Sequence, residues 1–182
     1  MLLHLYERDG LEMLKCLNGI FAFAIHDARD AGRPDGMERG ALFLARDQLG
    51  VKPLYFAEPQ SGFLFGSEIK ALICDAGLSR SIDPIALHQM LAYLWTPAPR
   101  TMLASVRKLE PGAAIIVQQG RVWRHWLYYV PPYDGITDTR PAAEIASDLG
   151  EHVATAVRRQ LIADVPVGAF LSGCLLYTSR CV

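Results

Sequence analysis

The chain has 182 residues, a formal net charge of −1, 51% hydrophobic residues and 20% charged residues. That length suits one full domain, or one domain and part of another, with enough apolar material for a core. The near-neutral charge gives no electrostatic reason for a nucleic-acid or acidic-membrane partner, and the longest apolar run, Ile20 to Ile25, is far shorter than the ~20 residues that span a bilayer.

The first stretch, Leu2 to Leu17, sets apolar residues at 2, 3, 5, 6, 11, 13, 14 and 17, a core-facing helix interrupted around Gly10. It opens without a convincing cap and without a basic leader, so no signal peptide is read, a cytoplasmic location is expected, and the native N-terminus is expected upstream. From Gly19 to Asp27, large residues at 21, 23 and 25 alternate with small ones, which predicts a strand buried on both faces. Gly32, Pro34 and Gly36 mark a loop. Short strands follow at Ala41 to Ala45, Leu54 to Ala57 and Gly62 to Phe65, and the last leads into a helix from about Ile69 to Cys74. Their even spacing predicts a meandering antiparallel sheet.

Asp83 to Leu94 reads as a helix with Asp83 as N-cap and Pro84 in the first turn. A Pro- and Arg-containing loop, Thr96 to Arg100, precedes a turn at Lys108-Leu109-Glu110-Pro111-Gly112. Strands are predicted at Ala113 to Gln118 and Val122 to Tyr128, hinged at Gln119-Gly120. Pro131, Pro132, Asp134 and Gly135 then open a polar linker. Beyond it, Ile145, Leu149, Val153, Val157 and Leu161 make one apolar stripe at i, i+4 spacing, an amphipathic helix of about five turns. Val165 to Leu171 reads as a buried strand ending in Ser172-Gly173, the way an α/β domain begins. Cys16, Cys74, Cys174 and Cys181 form no Cys-x-x-Cys pair and no metal pattern with the five histidines.

Several of these runs, in this order, carry a resemblance. They are Leu17-Asn18-Gly19-Ile20-Phe21-Ala22-Phe23-Ala24-Ile25, Leu44-Ala45-Arg46-Asp47-Gln48-Leu49-Gly50-Val51-Lys52-Pro53-Leu54-Tyr55 and Gly66-Ser67-Glu68-Ile69-Lys70-Ala71-Leu72. Lys108-Leu109-Glu110-Pro111-Gly112 and Asp164-Val165-Pro166-Val167-Gly168-Ala169-Phe170-Leu171-Ser172-Gly173 complete the set. Over roughly residues 1–173 the chain resembles the glutamine-hydrolysing asparagine synthetase family, a class II glutamine amidotransferase. The resemblance implies the back part of an α+β glutaminase of N-terminal-nucleophile type, with two antiparallel sheets between helices, over 1–128. A linker over 129–140 and the start of an α/β pyrophosphatase-loop synthetase domain over 141–173 follow.

In that family, glutamine is hydrolysed by an N-terminal cysteine whose own α-amino group is the base. Ammonia then converts aspartate, activated with ATP and Mg2+ as β-aspartyl-AMP, to asparagine. The resemblance sets the nucleophile and the glutamine-holding residues ahead of residue 1. No catalytic residue is therefore expected here, Cys16 is not taken as the nucleophile, and the isolated chain is expected to be inactive. Glutamine, aspartate and ATP are the implied substrates, a homodimer is an assembly the family allows, and neither nucleic acid nor membrane is implied.

Leu171, Ser172 and Gly173 match the entrance of the ATP phosphate loop, where glycines let backbone N–H groups approach phosphate. The match then fails: Cys174 stands for a second Gly, Leu176 for Asp, and Tyr177-Thr178 for serines, so 174–182 is expected to be a non-native tail. Other readings stay open. The acceptor is another carboxylate, such as a sugar acid, or the chain is a non-catalytic remnant or interaction module. Arg46 and Asp47 are expected to form a strand-end ion pair pinning the turn at Gly50 and Pro53. Lys52, Glu68 and Lys70 are expected as structural or solvated charges, and Trp123, Trp126, Tyr128 and Tyr129 as packing against the linker. His26 and His125 are given no role.

Overall fold

Gly10 divides the first helical stretch, as its position in the sequence suggests. In the computed structural model, which describes residues 1–30, 36–133, 135 and 137–168, α1 (Leu2–Asp9) ends there and a 3₁₀ helix (Gly10–Cys16) continues. Tyr6, Leu11, Met13 and Leu14 are the residues these turns bury.

Strand β1 (Ala22–Asp27) pairs antiparallel with β2 (Ala41–Arg46), placing Ala22 opposite Arg46 and Asp27 opposite Ala41. Among the described residues β1 pairs only with β2; Ala24 and His26 are exposed on one face, and Ile25 and Asp27 are buried on the other. The expectation of burial on both faces was wrong for this strand. Alternating large and small residues mark a pleat, and whether both faces are covered depends on what lies beyond it. Three short elements follow: β3 (Tyr55–Ala57), β4 (Leu64–Gly66) and α2 (Ile69–Leu72). Helix α3 (Pro84–Tyr93) starts as its sequence dictates, with the Asp83 carboxylate accepting from the Ile85 and Ala86 amides. Arg100 donates to the other oxygen of Asp83 at 2.6 Å.

A two-residue strand, β5 (Arg107–Lys108), pairs with β3. No hydrophobic alternation announces it, because two residues are too few to show a period. β6 (Ala113–Gln118) and β7 (Arg121–Leu127) form a hairpin, and β6 lies against β2. All pairings are antiparallel, but the chain does not meander through one sheet. One sheet runs β1-β2-β6-β7 and the other β4-β3-β5. The second sheet is inserted between β2 and β6, a long-range pairing that even strand spacing cannot reveal.

Alternation along β2 and β6 explains the core. Phe43, Ala45, Ala114 and Ile116 face the N-terminal helical turns with Tyr6, Met13 and Leu14. Leu44, Ala113, Ile115 and Val117 face the second sheet with Leu54, Phe56 and Leu109. A third cluster, Ala57, Leu72, Leu78 and Val106, joins α2 to the other side of that sheet. Trp126 and Tyr128 pack on the first of these clusters, with Trp126 stacked 6.2 Å from Phe43, whereas Trp123 is exposed.

The chain divides into two compact units, 1–132 and 133–182. In the second, α4 (Ala142–Gln160) buries no residue, and the apolar stripe that predicts it includes the exposed residues Leu149, Val153 and Val157. Arg140 gathers Asp138, Glu144 and Asp148 at its start. The strand expected from Val165 is not formed over 165–168, where the described residues of this unit offer no strand to pair with. No helix among the described residues is long and apolar enough to cross a membrane.

Candidate functional site

Arg46 ends β2 and Asp47 follows it, so the two side chains leave opposite faces of the strand end. They make no ion pair with each other, and the expected pinning is achieved separately through backbone groups. Asp47 is buried, and its carboxylate accepts from the amides of Val51 at 2.8 Å, Lys52 at 2.9 Å and Phe21 at 3.3 Å. Its own N–H donates to the Phe21 carbonyl, and its carbonyl accepts from Gly50 and Gly112. One aspartate thus fixes the entry to β1, the 50–52 turn and the turn before β6.

The Arg46 guanidinium donates to the carbonyls of Lys52, Leu109 and Gly50 at 2.5–2.6 Å. Burial lowers its pKa against the opposing fields of Asp47, Tyr55 and Glu110. Tyr128 closes the arrangement by donating to the Arg46 carbonyl at 2.6 Å, and burial, with the Asp47 charge, pushes its phenol well up. Two glycines make these approaches possible. A Cβ on Gly112, at φ +64°, would meet the Tyr129 carbonyl oxygen at 2.5 Å. One on Gly50, at φ +66°, would meet Pro111 at 2.8 Å.

Beside this turn lies a cleft of about 520 Å³ whose walls include Arg46, Tyr55, Trp95, Lys108 and Glu110. The Lys108 ammonium donates to the Thr96 carbonyl at 2.8 Å and stands 5.8 Å from the Trp95 ring centre. Burial, then the Arg46 charge, lowers its pKa. Glu110 lies 3.3 Å from His125, a partner the sequence did not reveal. The sequence names Lys108 only as part of a turn. The available signal was the absence of any Asp, Glu, Lys or Arg from 84 to 99, which makes Lys108 a cation facing an uncharged segment.

A second polar cluster ends β1. Buried Asp27 accepts from Tyr6 at 2.8 Å and from Arg29 at 2.6 and 3.0 Å, and the Arg29 guanidinium lies over the Tyr6 ring. Hydrogen bonding from Arg29 is the main cause that holds the Asp27 pKa at about 2, against burial and with help from Tyr6. Burial, together with the bond to Asp27, pushes the Tyr6 phenol up. These groups satisfy one another, which is what a structural ion cluster does.

Cys16 ends the 3₁₀ helix as an exposed free thiol. Cys74 is also exposed and free, its sulfur 3.4 Å from the Lys70 carbonyl. Among the described residues no His, Cys, Asp and Glu group could hold a metal ion. Lys70 pairs with Glu68 in solvent at 2.7 Å. The ATP-loop residues Leu171, Ser172 and Gly173 lie outside the described residues.

The chain is similar to known proteins over most of its length. Asparagine synthetase (glutamine-hydrolyzing) 3 of Bacillus subtilis is 35% identical over 177 residues, covering 95% of this chain and 26% of the relative. Asparagine synthetase (glutamine-hydrolyzing) 1 of the same organism is 30% identical over 173 residues, with the same shares. Amidase chry2 of Gibberella zeae is 30% identical over 172 residues, covering 93% of this chain and 24% of the relative. The chain therefore spans about a quarter of the length of these relatives. The family described as glutamine amidotransferase domain matches residues 1–129, the stretch holding both antiparallel sheets and both polar clusters. By that match, the chain belongs to the glutamine amidotransferase domain family.

Proposed function

We infer that residues 1–128 serve as the C-terminal part of an N-terminal-nucleophile-type glutaminase sandwich in a glutamine-dependent asparagine synthetase. The observation that carries this reading is the amidotransferase match over 1–129, in a chain similar along 95% of its length to enzymes named for glutamine-hydrolysing asparagine synthesis. In this reading a cysteine thiol that is none of this chain's four gives its proton to an α-amino group and attacks the glutamine amide carbon, ammonia leaves, and water hydrolyses the resulting thioester to glutamate and free thiol. Ammonia then displaces AMP from β-aspartyl-AMP, made from aspartate and ATP with Mg2+, to give asparagine.

This chain's own contribution to the first step is rigidity. Asp47 and Arg46 lock the ends of three strands, so a glutamine site built against them would be held in place. Residues 129–140 are read as a linker and 141–173 as the start of the ATP-binding domain. Leu171, Ser172 and Gly173 form the entrance of its phosphate loop, and 174–182 is a non-native tail. A cytoplasmic homodimer goes with the same reading. The 182-residue polypeptide alone is read as inactive, because the reading assigns the nucleophile to none of its cysteines.

Exchanging residues 1–129 into the matched segment of the Bacillus subtilis synthetase 3 relative tests the assignment. Glutamine-dependent asparagine formation is expected to persist in the folded chimera. If only ammonia-dependent formation survived, this segment would not be a glutaminase part. A second reading, an amidotransferase with another carboxylate acceptor, is favoured by the similarity to Amidase chry2, whose name carries no aspartate chemistry. Acceptor screening with the chimera's counterpart, residues 141–173 in their longer context, separates the two.

A further inference from the structure

The cleft beside Trp95 carries more cationic donor capacity than its own fold uses. Lys108 Nζ has three N–H donors and gives one to Thr96. Arg46 has five and engages the carbonyls of Lys52, Leu109 and Gly50, which leaves donors on both terminal nitrogens. The carboxylate in the cleft wall, Glu110, lies 3.3 Å from His125, and its charge, with that of Asp47, also acts on Arg46, which leaves Lys108, among the described residues, as the cation without a carboxylate partner. A buried Arg46 and a half-buried Lys108, both with N–H groups to spare, therefore line a space of about 520 Å³, within the usual range for small-molecule pockets. The Trp95 ring, 57% exposed, forms one wall, and Leu49, 72% exposed, stands at the rim. Desolvated cations with open donors are completed by an anion.

We propose that this cleft is a binding site for a small organic anion, its carboxylate or phosphate on Lys108 and its flat or apolar body against Trp95. The proposal does not rest on the glutaminase reading, in which Arg46 serves only to hold backbone carbonyls and Lys108 and Trp95 have no part. Lysine burial fits the same picture: an arriving anion would oppose the desolvation and the Arg46 charge that lower the Lys108 pKa.

Titration of the full 182-residue chain with benzoate, followed by the indole N–H resonance of Trp95 (assigned with Trp95→Phe), tests this directly. Benzoate should shift that resonance saturably, while benzyl alcohol, its uncharged counterpart, should bind at least about tenfold more weakly. Lys108→Met should weaken benzoate by about tenfold or more, and Lys108→Arg should restore it. Competition by inorganic phosphate would assign the site to either anion, and its failure to compete would restrict the site to carboxylates; both support the proposal. The absence of a saturable shift, equal binding of benzyl alcohol, or unchanged binding in Lys108→Met would overturn it. Should Lys108→Met not fold, wild-type binding must weaken on raising sodium chloride, and salt-independent binding would equally overturn it.

Discussion

Strand β2 and helix α4 are both strongly apolar in pattern, yet one is buried and the other is not. In β2, Phe43, Leu44 and Ala45 are completely buried, each face covered by a different layer. In α4, Leu149, Val153 and Val157 are 53–61% exposed although their spacing is regular. A period of 3.6 states which residues will share a face, but burial requires a second surface. The first unit supplies that surface from residues far apart in sequence, and the described part of the second does not.

Deletion of core volume should separate the two regions most sharply. Phe43 is stacked 5.8 Å from Tyr6 and 6.2 Å from Trp126 and meets Phe23 edge-on at 5.7 Å. Phe43→Ala should cost about 3–5 kcal/mol in urea unfolding, because three aromatic neighbours cannot collapse into the gap. A loss under about 1 kcal/mol would mean that this face of the sheet is not a packed core.

Asp47 should come next. Asp47→Ala leaves the amides of Phe21, Val51 and Lys52 without their acceptor, and a loss of about 3 kcal/mol is expected from urea unfolding. Unchanged stability would show that water replaces the carboxylate without penalty, and the turn would then not depend on it.

Acid should probe the first unit through Asp27. Its folded pKa of about 2 lies below the unfolded carboxylate value of about 3.9. As pH falls, the unfolded chain takes up the proton first. The contribution, about 3 kcal/mol at most, is therefore present above about pH 4 and lost progressively toward pH 2. Denaturant midpoints measured across that window should fall more steeply for the wild type than for Asp27→Asn. Identical slopes would remove the Tyr6–Asp27–Arg29 cluster from the account.

How much of this was legible in the sequence depended on how local the cause was. The α3 boundary was readable because Asp83 and Pro84 act on neighbouring amides. The β6–β7 hairpin was readable because Gln119 and Gly120 take positive φ between two apolar runs. The β2–β6 pairing was not, since it joins residues some seventy positions apart across an inserted sheet. The amidotransferase family was legible from the order of the motifs. What Arg46 and Asp47 do was not, because adjacent opposite charges suggest a pair, while the strand pleat sends them apart to separate backbone groups. The neighbours of Lys108 were not legible for a similar reason: Trp95 and Thr96 reach it through tertiary structure.

The smallest expected effect belongs to α4. Leu149→Ala removes an exposed side chain from a helix that buries nothing, so the change in unfolding free energy should stay within about 0.5 kcal/mol. Amide exchange should show the same division, with α4 amides opening far more readily than those of β2 and β6. The substitution also favours helix locally, since alanine has the higher propensity, so any change in helical circular dichroism should be a slight gain. A loss above about 1 kcal/mol, or slow exchange through Leu149 and Val153, would require the stripe to be packed against another surface in solution. The contrast with β2 would then reflect what covers each element and not how strongly each is patterned.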